Sequence, residues 1–254
     1  HGSTSDVAER TGDAVKLEGQ INLADLKRAP IQLTLTASAG RVDLSTTANL
    51  ETYELPAPAK LATQGLDLAF VAAPLTGKVD ADGQIRLIGL TDFEWTGNAT
   101  ATSLTFPSGS AAKVTTPLTI TKDATTFRWE APSAIIDGGR ITSLKSLAPA
   151  RYTAATRGEV NIRTRLVEIT QAQIRGQAGD VSARGTYGIR SHALKLAGAA
   201  SFTRLADVAP LTGSARGQWT VTRTSENAPF RITADAAGRA VGGKLQGALD
   251  SATD

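Results

Sequence analysis

The sequence predicts an all-β fold built from antiparallel strands. Residues 15–23 and 31–39 alternate apolar and polar side chains, and a strand places alternate side chains on opposite faces of its sheet. Segments of this kind recur at intervals of about ten residues, which is typical of all-β proteins. Helix signals are few and short. Each strand is therefore predicted to have one apolar face and one polar face.

The predicted strands follow one another closely along the chain. They cover residues 15–23, 31–39, 41–50, 65–71, 78–82, 84–90, 93–101, 103–106, 112–122, 125–130, 133–137, 140–144, 158–163, 166–173, 179–188, 193–201, 217–223, 229–237 and 243–249. Glycine supplies the positive φ that tight reversals need. Turns are therefore predicted at Ala39-Gly40, Asp82-Gly83, Asp137-Gly138-Gly139 and Ala178-Gly179-Asp180.

Two segments carry a weak helical pattern. Residues 23–29 and 203–209 are each long enough for one or two turns, and Pro30 and Pro210 follow them. Proline cannot continue a helix, so each helical turn is predicted to end there. Neither segment would be stable without packing against the sheet.

Composition places the chain among folded proteins. It has 254 residues, of which 41% are hydrophobic, 20% charged and 5% aromatic. The net charge is 27 − 24 = +3, and acidic residues lie among the basic ones. No basic run resembles a nucleic-acid footprint, so no nucleic-acid partner is expected. Cysteine is absent, which excludes disulfides and thiol chemistry and fits an oxidising compartment.

The expected organisation is a single long β domain in a fragment of a larger protein. His1-Gly2-Ser3 resembles the remnant of a purification tag, so residues 1–3 are set aside. Residues 4–12 are expected to be a flexible lead-in and residues 251–254 a tail. The domain is predicted to cover residues 13–250, with two repeat-like halves that meet near residues 145–157. The fragment is expected to be monomeric.

One phrase occurs twice. Ala-Pro-Leu-Thr-Gly occupies residues 73–77 and again residues 209–213, each time before a predicted strand. Repetition of this kind suggests stacked strand–turn–strand units. A chance recurrence of an ordinary turn sequence is the alternative.

The chain carries few residues suited to catalysis. Apart from the first residue, His192 is the sole histidine, and it lies in a predicted turn with no nucleophile motif beside it. Asp80-Ala-Asp-Gly83 resembles the start of a calcium loop but lacks its remaining ligands, so a hairpin turn is the preferred interpretation. No phosphate-binding glycine motif is present. The protein is therefore predicted to be no enzyme and to hold no metal or cofactor.

Three phrases together resemble the AsmA-like family, in particular the β-rich periplasmic part of its TamB-type members. They are Gly77-Lys-Val-Asp-Ala-Asp-Gly-Gln-Ile-Arg-Leu-Ile-Gly89, Gly176-Gln-Ala-Gly-Asp-Val-Ser-Ala-Arg-Gly-Thr-Tyr-Gly188 and Leu205-Ala-Asp-Val-Ala-Pro-Leu-Thr-Gly-Ser-Ala-Arg-Gly217. The resemblance extends over residues 15–249. It implies an elongated antiparallel sheet rolled into an open hydrophobic groove, the β-taco form.

The resemblance also implies a role without catalysis. Members of this family are anchored in the inner membrane of Gram-negative bacteria and span the periplasm. They take part in outer-membrane biogenesis, as conduits for phospholipid and in the assembly of outer-membrane and autotransporter proteins. The implied partners are phospholipid acyl chains and, through regions outside this sequence, an outer-membrane barrel assembly protein.

Twelve apolar residues near the strand centres are the predicted lining of the groove. They are Leu17, Ile21, Leu33, Leu35, Leu44, Ile85, Leu87, Val160, Ile162, Val221, Phe230 and Ile232. Trp95, Trp129 and Trp219 each alternate with another apolar residue and are expected to be inward-facing packing residues. A closed β-sandwich would bury the same residues against a second sheet. An extracellular sandwich or solenoid module for adhesion or binding is therefore the alternative, and templating of client strands by open sheet edges is another.

Overall fold

A computed structural model describes residues 15–52, 55, 57–71, 75–88, 91–106, 109–141, 150–204, 212–240 and 243–253. Within these ranges the chain forms fifteen strands and two short helical turns. The strands are β1 (Lys16–Ile21), β2 (Ala29–Ala37), β3 (Gly40–Ala48), β4 (Ala59–Asp67), β5 (Thr76–Leu87), β6 (Phe93–Phe106), β7 (Gly109–Asp123), β8 (Thr126–Ile141), β9 (Ala150–Asn161), β10 (Leu166–Arg175), β11 (Gly179–Gly188), β12 (Leu194–Phe202), β13 (Gly213–Arg223), β14 (Phe230–Ala240) and β15 (Gly243–Thr253).

The order of hydrogen-bonded strands is their order in the sequence, from β1 to β15. The sheet is unclosed, and the strand pairs whose register is described are antiparallel. The prediction of an all-β antiparallel fold with little helix is thus confirmed. The chain divides into two compact units, residues 1–121 and 122–254. The first holds β1 to β6 and nearly all of β7, and the second holds β8 to β15.

Two predicted turns are wrong, because the residues lie inside strands. Asp82-Gly83 is in the middle of β5, where Gly83 pairs with Leu61 on one side and Gly97 on the other. Asp137-Gly138-Gly139 lies within β8, and Gly139 pairs with Ala150. Strands predicted as separate pieces are therefore continuous in β5 and β8, which are 12 and 16 residues long. The two strands predicted over residues 93–101 and 103–106 are likewise one 14-residue strand, β6.

The pairing of β8 and of β10 is interrupted by register shifts of the kind that β-bulges produce. The register of β8 against β9 shifts between Ala131 and Ala134, and that of β10 shifts next to Ile169. Pro132 stands inside the first of these shifts. Proline has no N–H for the ladder and is tolerated in strands at bulges. The sequence shows Pro132 as an apparent break between two strands, whereas the chain makes one irregular strand.

The two helical turns are Leu26–Arg28 and Leu68–Val71. The first, a 3-10 turn, lies inside the predicted helical segment 23–29, and the Asp25 side chain caps it by accepting from the Lys27 N–H at 2.9 Å. The second falls where a strand over 65–71 was expected; the strand there is β4, which ends at Asp67. The predicted turn at 203–209 lies largely outside the described residues.

The repeated phrase ends in the same backbone conformation at both sites. Gly77 at the start of β5 has φ 131° and Gly213 at the start of β13 has φ 133°. Only glycine adopts such angles readily. The two phrases therefore share a conformational requirement as well as a sequence. The repeat-like halves predicted to meet near residues 145–157 stay a prediction.

Candidate functional site

In the first unit, strand register gathers the apolar side chains on one face of the sheet, hereafter the apolar face of that unit. Leu17 pairs with Leu35, Leu33 with Leu44, and Leu44 with Leu61. Directly opposed residues in an antiparallel pair project from the same face. The row continues through β5 and β6, where Ile85 pairs with Trp95 and Leu87 with Phe93.

The opposite face of the first unit is polar. Glu18 pairs with Thr34 and Thr34 with Asp43. Arg86 and Glu94 are opposed across β5 and β6, with Nη2 of Arg86 3.3 Å from Oε2 of Glu94. The two faces of this unit therefore differ throughout the described register.

The best-defined polar contact of this unit centres on Asp43. Arg41 donates through Nε to Asp43 Oδ2 at 2.8 Å and through Nη2 to Oδ1 at 2.7 Å, and the Thr34 hydroxyl donates to Oδ1 at 2.7 Å. Hydrogen bonds from Arg41 and then Thr34 hold the pKa of the Asp43 carboxyl below its ordinary value of 3.8. Hydrogen bonds to a carboxylate favour its charged form.

The second unit repeats the arrangement with its own apolar face. Val160 pairs with Phe127 and Val167, and Val221 pairs with Leu196 and Ile232. On the other face Nε of Arg128 lies 3.2 Å from Oε2 of Glu159, and Glu159 also opposes Glu168. In both units, therefore, the alternation along each strand places apolar side chains on one face of the sheet and polar side chains on the other.

Eleven of the twelve predicted lining residues lie on an apolar face. They are Leu17, Ile21, Leu33, Leu35, Leu44, Ile85 and Leu87 in the first unit and Val160, Val221, Phe230 and Ile232 in the second. Ile162 lies one residue beyond the end of β9, in a turn where its N–H donates to the Thr125 carbonyl at 2.8 Å. Their role as the lining of a lipid groove stays a prediction.

These apolar faces are incompletely buried. Leu17 is 66% exposed and Leu87 is 58% exposed, whereas Trp95 is only 5% exposed. Among the described residues the other buried hydrophobic side chains are all alanines, and no large side chain is fully buried. An apolar surface left in contact with water is a common mark of a binding surface.

The tryptophan rings lie over glycines of the sheet, which the sequence alone did not indicate. Ring atoms of Trp95 lie over Gly83 and Gly97, so that a Cβ atom at either glycine would come within 2.8 Å and 2.7 Å of the indole. Trp129 covers Gly158, and Trp219 covers Gly198, in the same way. All three indoles lie on an apolar face. Trp129 and Trp219 each lie directly across from the glycine that they cover. Trp95 instead lies across from Ile85, and the glycines that it covers are the next pair along the same face.

A hollow of about 620 Å³ lies on the polar face of the first unit, beside the β4 bulge. Asp80, Asp82, Asn98 and Thr100 line it with others. Asp80 is already engaged, because its Oδ1 accepts the Gly65 N–H at 2.7 Å. Among the described residues, no group of three or more acidic or histidine side chains is placed to hold a metal ion. The hollow therefore offers little specific chemistry.

His192 lies in the turn between β11 and β12, as the sequence predicted. Its Nδ1 is 3.0 Å from the Tyr187 hydroxyl, and its Nε2 is 3.6 Å from Oε2 of Glu226. No serine, threonine or lysine is part of these contacts, so the arrangement lacks the nucleophile of a hydrolytic triad.

Comparison with known proteins gave no further guide to the site. No family model, no curated protein and no solved structure matches the chain. A search of the described residues found no helix with the length and apolar character needed to cross a membrane.

Proposed function

We propose that the apolar faces bind phospholipid acyl chains and that the chain is a non-enzymatic segment of an AsmA-like, TamB-type protein. One observation carries the proposal: the register places Leu, Ile, Val, Phe and Trp side chains on one face over successive strands while charged side chains occupy the other. Such a surface suits a ligand that is apolar along most of its length.

The physical benefit to a lipid is large. Each CH₂ group transferred out of water gains about 0.8 kcal/mol. Two acyl chains of roughly 16 carbons each would therefore gain on the order of 20 kcal/mol if their contact with water were removed completely. No specific binding residue is required, which agrees with a sequence that is strongly patterned but poor in motifs.

Small residues give the face room for such chains. Ala81 opposes Ala99 across β5 and β6. In the second unit Ala183 opposes Ala172 across β11 and β10. Small side chains that line up across neighbouring strands leave a shallow depression between the bulkier side chains of the apolar face. In our proposal acyl chains lie along these rows, and the sheet curls around them as a groove open to water at the lipid headgroups.

The setting we propose follows the family resemblance. The segment would lie in the periplasm of a Gram-negative bacterium, within a protein anchored in the inner membrane. It would serve outer-membrane biogenesis by passing phospholipid between membranes, and other regions of the protein would meet the outer-membrane barrel partner. A catalytic role, a metal and a nucleic-acid ligand have no place in this proposal.

Photocrosslinking tests the proposal directly. A photoreactive phenylalanine analogue is placed at Leu35 or Leu87 on the apolar face, and at the adjacent Thr36 or Arg86 on the polar face. After irradiation with phospholipid vesicles, lipid attached to the protein is detected by mass spectrometry. Attachment from Leu35 and Leu87 alone is the expected result. Equal attachment from both faces, or none from a folded protein, would overturn the proposal.

A further inference from the structure

Three turns of the second unit lie together at one end of its sheet. They are residues 162–165, 189–193 and 224–229. Because successive strands run antiparallel, every second turn lies at the same end. The turns also contact one another: the Ile189 N–H donates to the Arg165 carbonyl at 2.8 Å, and His192 faces Glu226. We call this set the arginine end.

The arginine end carries an excess of positive charge. Arg163, Arg165 and Arg190 are exposed there. Among the described residues none of the three takes part in an ion pair, whereas Arg128 on the polar face of the same unit has two carboxylate partners. The acidic residue of these turns, Glu226, faces His192. These three guanidinium groups are consequently available for an external anion.

Apolar side chains stand among these arginines. Ile162, Leu166 and Ile189 are 46%, 40% and 40% exposed. The combination of cations with projecting aliphatic residues matches the boundary of an anionic bilayer, where phosphate groups overlie the acyl region. A nucleic acid would use the arginines for its phosphates but would leave the aliphatic side chains in water.

We infer that the arginine end docks the second unit onto the surface of a membrane that contains anionic phospholipid. The guanidinium groups pair with lipid phosphates in two-pronged hydrogen bonds, and the three aliphatic side chains enter the boundary between headgroups and acyl chains. This inference goes beyond the proposed function, since it concerns the end of the sheet and does not require lipid on an apolar face.

Vesicle flotation with the full 254-residue chain tests the inference. The vesicles are phosphatidylcholine alone or phosphatidylcholine with phosphatidylglycerol. The test variant is R163Q/R165Q/R190Q, and the matched control is R157Q/R184Q/R216Q, which removes the same charge from the polar face of the same unit. Circular dichroism confirms that both variants fold. Leu166→Ser and Ile189→Ser examine the aliphatic contribution separately.

The wild-type chain and the control should float with the anionic vesicles, and weakly with neutral ones. Each arginine near an anionic surface contributes about 1 kcal/mol, so the test variant should partition roughly a hundredfold less. Equal loss in test and control variants would indicate non-specific charge attraction and would overturn the inference, as would undiminished flotation of the test variant. Binding of an acidic protein without flotation would overturn it in favour of a protein partner.

The result is separable from that of the proposed function. Crosslinking of a soluble, short-chain phospholipid from Leu87 does not need a membrane surface. A test variant that no longer floats but still crosslinks this lipid leaves the proposed function intact. A wild-type chain that floats but never crosslinks lipid leaves only the docking inference standing.

Discussion

The ring of Tyr152 fills the space that a side chain at Gly176 would occupy. A Cβ atom built on Gly176 would lie 2.6 Å from Cδ1 and 2.7 Å from Cε1 of the ring. The opposite edge of the ring faces Gly139 in β8, where an added Cβ would lie 2.9 Å from Cδ2. The tyrosine is thus seated between two glycines, as the tryptophans are seated over theirs. Aromatic rings lie against the sheet because their neighbours have no side chain.

Gly176→Ala should therefore destabilise the protein. The added methyl group meets the Tyr152 ring, and overpacking of this kind costs about 1–3 kcal/mol. In a Tyr152→Ala background the same change should be neutral or stabilising by about 0.4–1 kcal/mol, because alanine restricts the unfolded chain. Urea unfolding of the four proteins measures both values. A cost that is the same in the two backgrounds would show that the ring is not the cause.

Tryptophan fluorescence should report lipid on the apolar faces. All three tryptophans lie there, and Trp95 is nearly buried while Trp129 and Trp219 are partly exposed. In three variants that each keep one tryptophan and carry phenylalanine at the other two sites, phospholipid with brominated acyl chains should quench Trp129 and Trp219 more than Trp95. Lipid with bromine-free chains is the control. Strongest quenching of Trp95, or an absence of quenching throughout, would contradict the placement of lipid on these faces.

A charge on the apolar face should hinder lipid binding with little effect on folding. Leu87 is already more than half exposed, so Leu87→Glu should change the free energy of unfolding by less than about 1 kcal/mol. A buried carboxylate in a bound lipid layer is unfavourable, so lipid crosslinking from Leu35 should fall several-fold. Gln84→Glu places the same charge on the polar face of β5 and should leave crosslinking unchanged. Equal effects of the two variants would count against face-specific binding.

Alternation in the sequence was enough to predict the fold class and the face on which most candidate residues lie. It was not enough to place the strand ends. Asp82-Gly83 has the composition of a hairpin turn, yet Gly83 is inside β5, where the ring of Trp95 in the next strand occupies the space over it. A contact with a residue of another strand cannot be predicted from the local sequence.

The register of the strands is the second feature that could not be predicted from the sequence. Pairing depends on bulges such as those beside Thr63 and Ile169, and a shift of one residue would exchange the faces. Leu61 is not among the predicted lining residues because no strand is predicted between residues 50 and 65, where β4 in fact begins at Ala59. The arginine end could not be predicted either, because its residues are distant in the sequence and are brought together only by the order of the strands.

Hydrogen exchange should verify the continuity of β5. A central strand has its backbone amides engaged with neighbours on both sides, so the amides of Asp82 and Gly83 should be protected to about the same degree as those of Val79 and Ile85. A hairpin turn at Asp82-Gly83 would leave at least one of these amides exchanging as fast as amides in the connections between strands. Amide exchange followed by NMR distinguishes the two cases.

Stability should fall in acid through Asp43. Hydrogen bonds from Arg41 and Thr34 lower the pKa of its carboxyl in the folded state below the ordinary 3.8. A group whose pKa is lower in the folded state stabilises the protein above its unfolded pKa, and that contribution is lost as the pH falls through the folded pKa. Unfolding measured between neutral pH and about pH 2 should therefore depend on pH less steeply in Asp43→Asn than in the wild type. Since Arg41 is the larger cause, Arg41→Gln should raise the pKa of Asp43 more than Thr34→Val does, as followed by NMR of the carboxyl carbon. The reverse order would mean that the threonine hydroxyl dominates and that the arginine pair is weak at this exposed position.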